Sequence, residues 1–388
     1  MASLPDRRAS LGEPSRDIAS RDVPSLRPVA PALVRSAEFA AEWDELADAV
    51  AEPNPFYERW ALLPALERLG AGADCTIMAL RCGGRLCALV PLGRAAAYYG
   101  YPLPHRVNWS HDNLFVGSPL VRSGFEERFW RALFGHLDAA TGRALFLHLD
   151  RLDANGPLFA ALARVADGDG RAWGVVQREE RAMLRSGLSP QAYFERSLNG
   201  KKRKELRRQD KRLAEEGAKG FERRSDGAGL ERWIEQFLAL EQAGWKGRNG
   251  SALADDPRTA GWFAATLHGA AARGRLERLS LTLDGAPVAM LANFIAPPGA
   301  FSFKTAYDER YARYSPGVLL QRENLDLLAR EDIAWCDSCA AADHPMIERI
   351  WREKRAMVRV NVAIGGRLRR AAFRQILRAE LARQTRST

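Results

Sequence analysis

The chain has 388 residues, 46% of them hydrophobic and 27% charged, which is the make-up of a soluble globular protein long enough for two domains with a core each. No apolar run reaches the roughly 18 to 20 residues that span a bilayer and no signal-peptide block opens the chain, so the expected location is cytoplasmic, at most peripheral to an inner membrane. The net charge of +10 is concentrated between Lys201 and Arg212, where eight basic residues face only Glu205 and Asp210; this stretch reads as a solvated helix face, an attractor of nucleic acid or an anionic membrane, or a device that steers an acidic substrate.

In chain order, residues 1–33 lack periodicity and predict a disordered tail. Apolar groups at helical spacing follow a serine cap at Ser36 and run to Val50, and a second helix is expected over 56–69. Strands over 76–81 and 86–92 flank a Gly83-Gly84 turn. An aromatic strand near Tyr98, a helix over 125–141 and a strand over 145–149 complete the first half. A joining helix over 189–216 carries the basic segment.

The second half repeats the plan, with helices over 229–243 and 259–273, an alternating strand at Leu279, Leu281 and Leu283, an Asp284-Gly285 turn, and strands over 288–295 and 301–307. A helix over 316–330, strands over 333–337 and 358–363 and a helix over 367–383 finish the chain. Equivalent hairpins at Gly84 and Gly285, and equivalent helix starts at Pro119-Leu120 and Pro316-Gly317, indicate two copies of one α/β unit. Five cysteines, at 75, 82, 87, 336 and 339, are too few and odd in number for a disulfide framework. They read as small buried groups rather than a four-thiolate zinc site, so no metal is expected.

The most informative stretch is 301–320, where a strand passes through a Tyr- and Arg-rich loop into a helix opened by Ser315-Pro316-Gly317. Proline suits a first helical turn, serine can cap it, and glycine lets a ligand approach backbone N–H groups favoured by the helix dipole. Arg313, Tyr314, Ser315, Pro316, Gly317 and Val318 are therefore candidate diphosphate binders. Asp308 is a candidate general base, Tyr311 a donor to a leaving thiolate, and His344 the histidine best suited to act as a base near neutral pH. Strand alternation puts Ser302 and Lys304 on one face and Phe301 and Phe303 on the other. Lys304 and Tyr307 are assigned to substrate binding, together with Trp245 and Lys246 of a lid at a helix end stopped by Gly247, Asp337 at a strand end, and His111 in the first half.

Lys-Lys-Arg-Lys-x-Leu-Arg-Arg at 201–208, Glu241-x3-Trp245-Lys246-Gly247, Lys304-x2-Tyr307-Asp308-x2-Tyr311-x3-Ser315-Pro316-Gly317 and Asp337 together resemble the FemAB-related branch of the GNAT acyltransferase superfamily, in particular its CelD-like members linked to polysaccharide biosynthesis. The resemblance covers about 189–355. It implies an α/β (α+β) fold of tandem GNAT-like units with mixed, mostly antiparallel sheets flanked by helices: a degenerate unit over 34–185 and a catalytic one over 186–388. It further implies direct attack of an amine, such as an amino sugar or polysaccharide precursor, on an acyl-CoA thioester. One departure stands out: only Gly317 follows Arg313, where the usual phosphate loop has several closely spaced small residues. An aminoacyl-tRNA donor, a lipid amine acceptor, and a nucleic-acid-binding or scaffold role for the basic helix remain as alternatives.

Overall fold

Among the residues described by a computed structural model (25–70, 75–342, 344 and 346–387), thirteen strands join in one mixed sheet. They are β1 (Ser25–Pro28), β2 (Thr76–Cys82), β3 (Arg85–Ala95), β4 (His105–Asn108), β5 (Leu120–Val121), β6 (Phe146–Asp153), β7 (Trp173–Leu184), β8 (Lys219–Arg224), β9 (Leu276–Leu283), β10 (Ala286–Ala296), β11 (Gly299–Tyr307), β12 (Trp335–Asp337) and β13 (Glu353–Ala363). The order across the sheet is β1-β2-β3-β4-β6-β13-β7-β12-β11-β10-β9-β8, with β5 on β3. Every pairing is antiparallel except β4 with β6 and β11 with β12.

This order contains the repeat. The run β1-β2-β3-β4-β6 in one half matches β8-β9-β10-β11-β12 in the other, each ending on its parallel pair. The closing strands are exchanged: β7 follows β6 in the chain but pairs with β12, while β13 follows β12 but pairs with β6. β7 and β13 also pair with each other along nearly their whole length. The two halves share a core as well, since Phe56 and Trp60 of the first pack edge-on against Phe294 and Phe301 of the second.

Several expectations are corrected. Residues 1–24 of the expected tail lie outside the described residues, whereas 25–28 form β1, paired along its length with β2. The stretch near Tyr98 is a tight turn, in which Tyr98 bridges Tyr101 around Gly100 at φ +84°. The helix expected over 189–216 is two, Pro190–Ser197 and Gly200–Glu215, because Asn199 is extended and its side chain accepts the Lys202 N–H, starting a new helix. The helix expected over 316–330 ends at Asn324 and tightens into a 3-10 segment over Leu325–Ala329. After β12, residues 346–350 form turns, and Asp343 and Pro345 lie outside the described residues.

Candidate active site

The parallel strands β11 and β12 pair over only three residues each, Gly299 to Phe301 against Trp335 to Asp337. Beyond that point they diverge, and a cavity of about 560 Å3 opens between Ser302–Thr305 and Ser338–Ala341. Gly299 is fixed by this pairing, because a Cβ there would meet the Trp335 ring at 2.6 Å. A bulge in β11 widens the split: Asn293 of β10 pairs with Ser302 and Ala292 with Lys304, leaving Phe303 as the extra residue. The expected alternation therefore fails here, and residues 302, 303, 304 and 305 all border the cavity.

Of the sequence candidates, the structure brings together Trp245, Lys246, Lys304, Tyr307 and His344 on this cavity. Lys246 Nζ lies 2.6 Å from Glu241 Oε1, and Glu241 Oε2 accepts the Leu253 N–H at 2.8 Å, so this buried carboxylate is fully used. Lys304 forms no salt bridge among the described residues. Burial first, and the Lys246 charge next, bring its ammonium down to about 8. His344 is half-buried, and its Nδ1 has no hydrogen-bond partner among the described residues. Burial holds its imidazole below the ordinary histidine value, with a smaller push from Lys246.

Gly247 is not the helix stop. The helix Leu230–Ala243 ends at Gly244, and Trp245–Arg248 makes a separate single turn in which a Cβ on Gly247 would collide with the Gln242 carbonyl. Glu309 clamps that turn, accepting the Trp245 N–H at 2.7 Å and pairing with Arg248 at 2.6 Å. Trp245 is held at the cavity rim with half its surface exposed.

The turn at Ser315 differs from an open cradle. Ser315 adopts φ +54° and makes no side-chain cap; its carbonyl instead accepts the Val318 and Leu319 N–H groups. Pro316 has no N–H, and among the described residues the Gly317 N–H has no partner outside the helix. Pro316 and Gly317 are both buried, and a Cβ on Gly317 would meet Met346 Sδ at 2.7 Å. Arg313 and Tyr314 both bond to Glu216 at the end of the basic helix, with the Arg313 guanidinium stacked 4.7 Å over the Tyr314 ring. Ser315 and Val318 instead border a separate cleft of about 330 Å3, with Lys202 and Arg349 on its wall.

The remaining candidates stand apart from the cavity. The Asp308 carboxylate accepts the Arg310 N–H at 2.9 Å and pairs with the Arg310 guanidinium, which holds it below the usual carboxylate range. Tyr311 is partly buried against the core, under Arg310. Asp337 is fully buried: Arg181 (2.6 Å) and Arg355 (2.8 Å) share its Oδ2, and Oδ1 accepts the Cys339 N–H. Burial pushes this carboxyl up, but the two guanidinium charges outweigh it and hold it below the usual range. His111 sits between Trp109 and Trp262, where burial, Arg151 and Lys304 push it down to about 3.

Sequence reasoning missed Phe115, a contribution of the first half to the cavity wall, and Cys339, whose φ of +50° follows the Asp337 anchor. It also missed a buried polar chain that leads away from the cavity. Ser302 accepts from Gln321 (3.4 Å), Gln321 from Asn324 (3.3 Å) and Asn324 from Asn293 (2.7 Å), while Asn293 also donates to Glu277 (3.2 Å). The available signal was the run of polar residues at helical spacing, Gln321 and Asn324, on a buried helix face. The corresponding split in the first half is filled: Asn108 bonds to Gly117 and to both backbone groups of Asp150, and a Cβ on Gly117 would collide with the Asp150 carbonyl.

No curated protein matches the sequence. Three solved structures share the fold over nearly their whole length. FemX has 10% identity and a TM-score of 0.54, covering 87% of this chain and 96% of its own. A conserved protein of unknown function from Bacteroides thetaiotaomicron has 11% identity and a TM-score of 0.54, covering 87% and 99%. The C-terminal domain of a putative lysylphosphatidylglycerol synthetase from Agrobacterium fabrum has 13% identity and a TM-score of 0.50, covering 86% and 95%. Residues 200–345, which hold the split between β11 and β12 and the cavity residues of the second half other than Met346 and Ile347, match the acetyltransferase (GNAT) domain. Within residues 200–345 the chain is thus similar to a GNAT acyltransferase domain, the kind that transfers an acyl group from acyl-CoA to an amine.

Proposed function

We propose that the cavity between β11 and β12 is where an acyl-CoA thioester meets an amino sugar, or an amine-bearing precursor of a polysaccharide. The observation that carries this reading is the pairing of an uncompensated Lys304 ammonium with an unpartnered His344 nitrogen on one cavity. The pantetheine arm fits the split, where the two strands part beyond Phe301 and Asp337 and the bulged Phe303 stands on the wall. The acceptor amine attacks the carbonyl carbon, a C–N bond forms, and the negative charge passes to the carbonyl oxygen. The C–S bond then breaks and the thiolate leaves with the electron pair.

His344, neutral because of its buried setting, takes the proton from the attacking amine. Lys304, charged below about 8, stabilises the departing thiolate and the carbonyl oxygen, and the Tyr307 hydroxyl is a second donor. Trp245 covers the acceptor as an apolar platform. The diphosphate sits against Lys202 and Arg349 in the cleft beside Ser315. This replaces a grip by several backbone amides, because Val318 and Leu319 spend theirs on Ser315. The 34–185 unit acts as a degenerate partner that lends Phe115 to the wall.

Thermal shift with a series of acyl-CoA chain lengths tests donor binding, since a ligand of the native state raises Tm by mass action. Mass spectrometry of reactions with glucosamine and with a long-chain amine then tests the acceptor. A shift with acyl-CoA and an N-acylated glucosamine product are expected; no shift at any chain length would count against the donor assignment.

A further inference from the structure

A further cavity, of about 360 Å3, lies at the β8 edge of the sheet beneath the start of the Leu230–Ala243 helix, and none of its lining residues belongs to the β11–β12 cavity or to the cleft beside Ser315. The face of a strand covered by a helix ordinarily carries apolar groups. Here β9 turns Arg278, Ser280 and Thr282 towards it, and Trp233 Nε1 donates to Ser280 Oγ at 2.9 Å, which fixes the helix over this polar row. On the neighbouring strand Arg224 stands directly opposite Arg278, Glu222 opposite Ser280 and Gly220 opposite Thr282. A Cβ on Gly220 would meet Thr282 Oγ1 at 2.6 Å, so the glycine keeps room for that hydroxyl.

Like charges directly opposite each other on paired strands are destabilising, and the Arg224 to Arg278 pair is only partly compensated. Glu222 and Asp226 both pair with Arg224, and Asp226 also reaches Arg278 at 3.3 Å. The Arg278 side chain is 3% exposed, and its Nε has no hydrogen-bond partner among the described residues. Burial first, and Arg224 next, disfavour its charge. A third cation, Arg232, lines the same cavity from the helix, is exposed, and forms no ion pair among the described residues. The helix itself starts at Gly229 with no side-chain cap; the Gly227 carbonyl takes the Leu230 N–H, which leaves those of Glu231 and Arg232 for an anion.

We propose that this cavity binds a small phosphorylated anion, held by Arg224, Arg232 and Arg278 with the Ser280 and Thr282 hydroxyls as further donors. Three guanidinium groups with two hydroxyls match the several acceptor oxygens of a phosphate dianion, and the volume leaves space for a small organic group esterified to it.

Isothermal titration of the full chain in low-salt buffer, with inorganic phosphate and then with ribose 5-phosphate, tests this. One-to-one saturable binding is expected, tighter for ribose 5-phosphate if the ester group is recognised and equal if only the phosphate is. Arg232→Ala is expected to weaken it about tenfold, and Arg224→Ala combined with Arg232→Ala to abolish it, with the acyl-CoA thermal shift unchanged as proof that the variants fold. Absence of saturation with both ligands, binding indifferent to these substitutions, or displacement by coenzyme A would overturn the proposal.

Discussion

Lys304 and Lys246 bring two ammonium groups to one cavity, and among the described residues Lys246 alone has a carboxylate, Glu241, at 2.6 Å. The arrangement leaves Lys304 as an uncompensated cation where a thioester carries its reacting atoms. A charge held in this way is costly to stability and useful to chemistry.

Replacing Lys304 with Met is accordingly expected to raise Tm by a few degrees at pH 7 while removing acyl transfer. The native pKa of about 8 lies below that of an unfolded lysine, so the unfolded state binds more protons between the two values and the wild type gains stability as pH rises through that window. The advantage of the Met variant should shrink towards pH 10. Calorimetry at pH 7 and pH 10 checks the sign, and an equal gain at both would remove the electrostatic explanation. Wild-type kcat should also fall as pH rises through about 8.

For His344, substitution by Gln is expected to lower kcat by roughly 100-fold or more with little change in KM for acyl-CoA, the mark of a lost proton acceptor. Because burial depresses the imidazole, the acid limb of the wild-type pH profile should fall below the ordinary histidine range. A profile whose acid limb survives in the Gln variant assigns the base elsewhere.

Gly317→Val places a branched side chain against Met346 Sδ, 2.7 Å from the Cβ position, and so pushes Met346 into the cavity it lines. We expect loss of the acyl-CoA thermal shift. Adding Met346→Ala should restore a substantial part of it, because residues in contact are energetically coupled. Failure of the double variant to recover would mean that the glycine acts through its amide and not through space.

Asp337→Asn addresses the anchor beneath the site. It leaves Arg181 and Arg355 without their shared carboxylate in a buried setting, and breaking such a pair costs about 3–5 kcal/mol. The native carboxyl titrates below its unfolded value, so the wild-type contribution is complete above the unfolded pKa and is lost as pH falls through the native one. Urea melts at pH 7 and pH 3 should show the difference between variant and wild type narrowing in acid.

Much of the second half was legible because Leu279, Leu281 and Leu283 recur at every second residue, apolar runs follow, and the turn carries Gly285: the Asp284-Gly285 hairpin, β9, β10 and β11 all lie where the pattern puts them. β7 was not legible. Its sequence is rich in Arg, Glu and Gln and its burial is irregular, since its place is set by pairing with β12 and β13, which lie far along the chain. The site divided along the same line. Lys304 and Tyr307, on the strand that opens the split, border the cavity, whereas Asp308 and Asp337 lie off it, Asp308 paired with the nearby Arg310 and Asp337 anchored by the distant Arg181 and Arg355. Glu309 and Phe115 carry no local signal, since each acts on an element distant in sequence.

The exchange of β7 and β13 has a consequence for the newborn chain. A ribosome delivers residues from the N-terminus, so the first half must wait for β13, the last of the described strands, and the second half relies on β7, made earlier with the first. Neither copy can settle independently during synthesis, so dividing the polypeptide near residue 185 would give two fragments that each lack their proper neighbour.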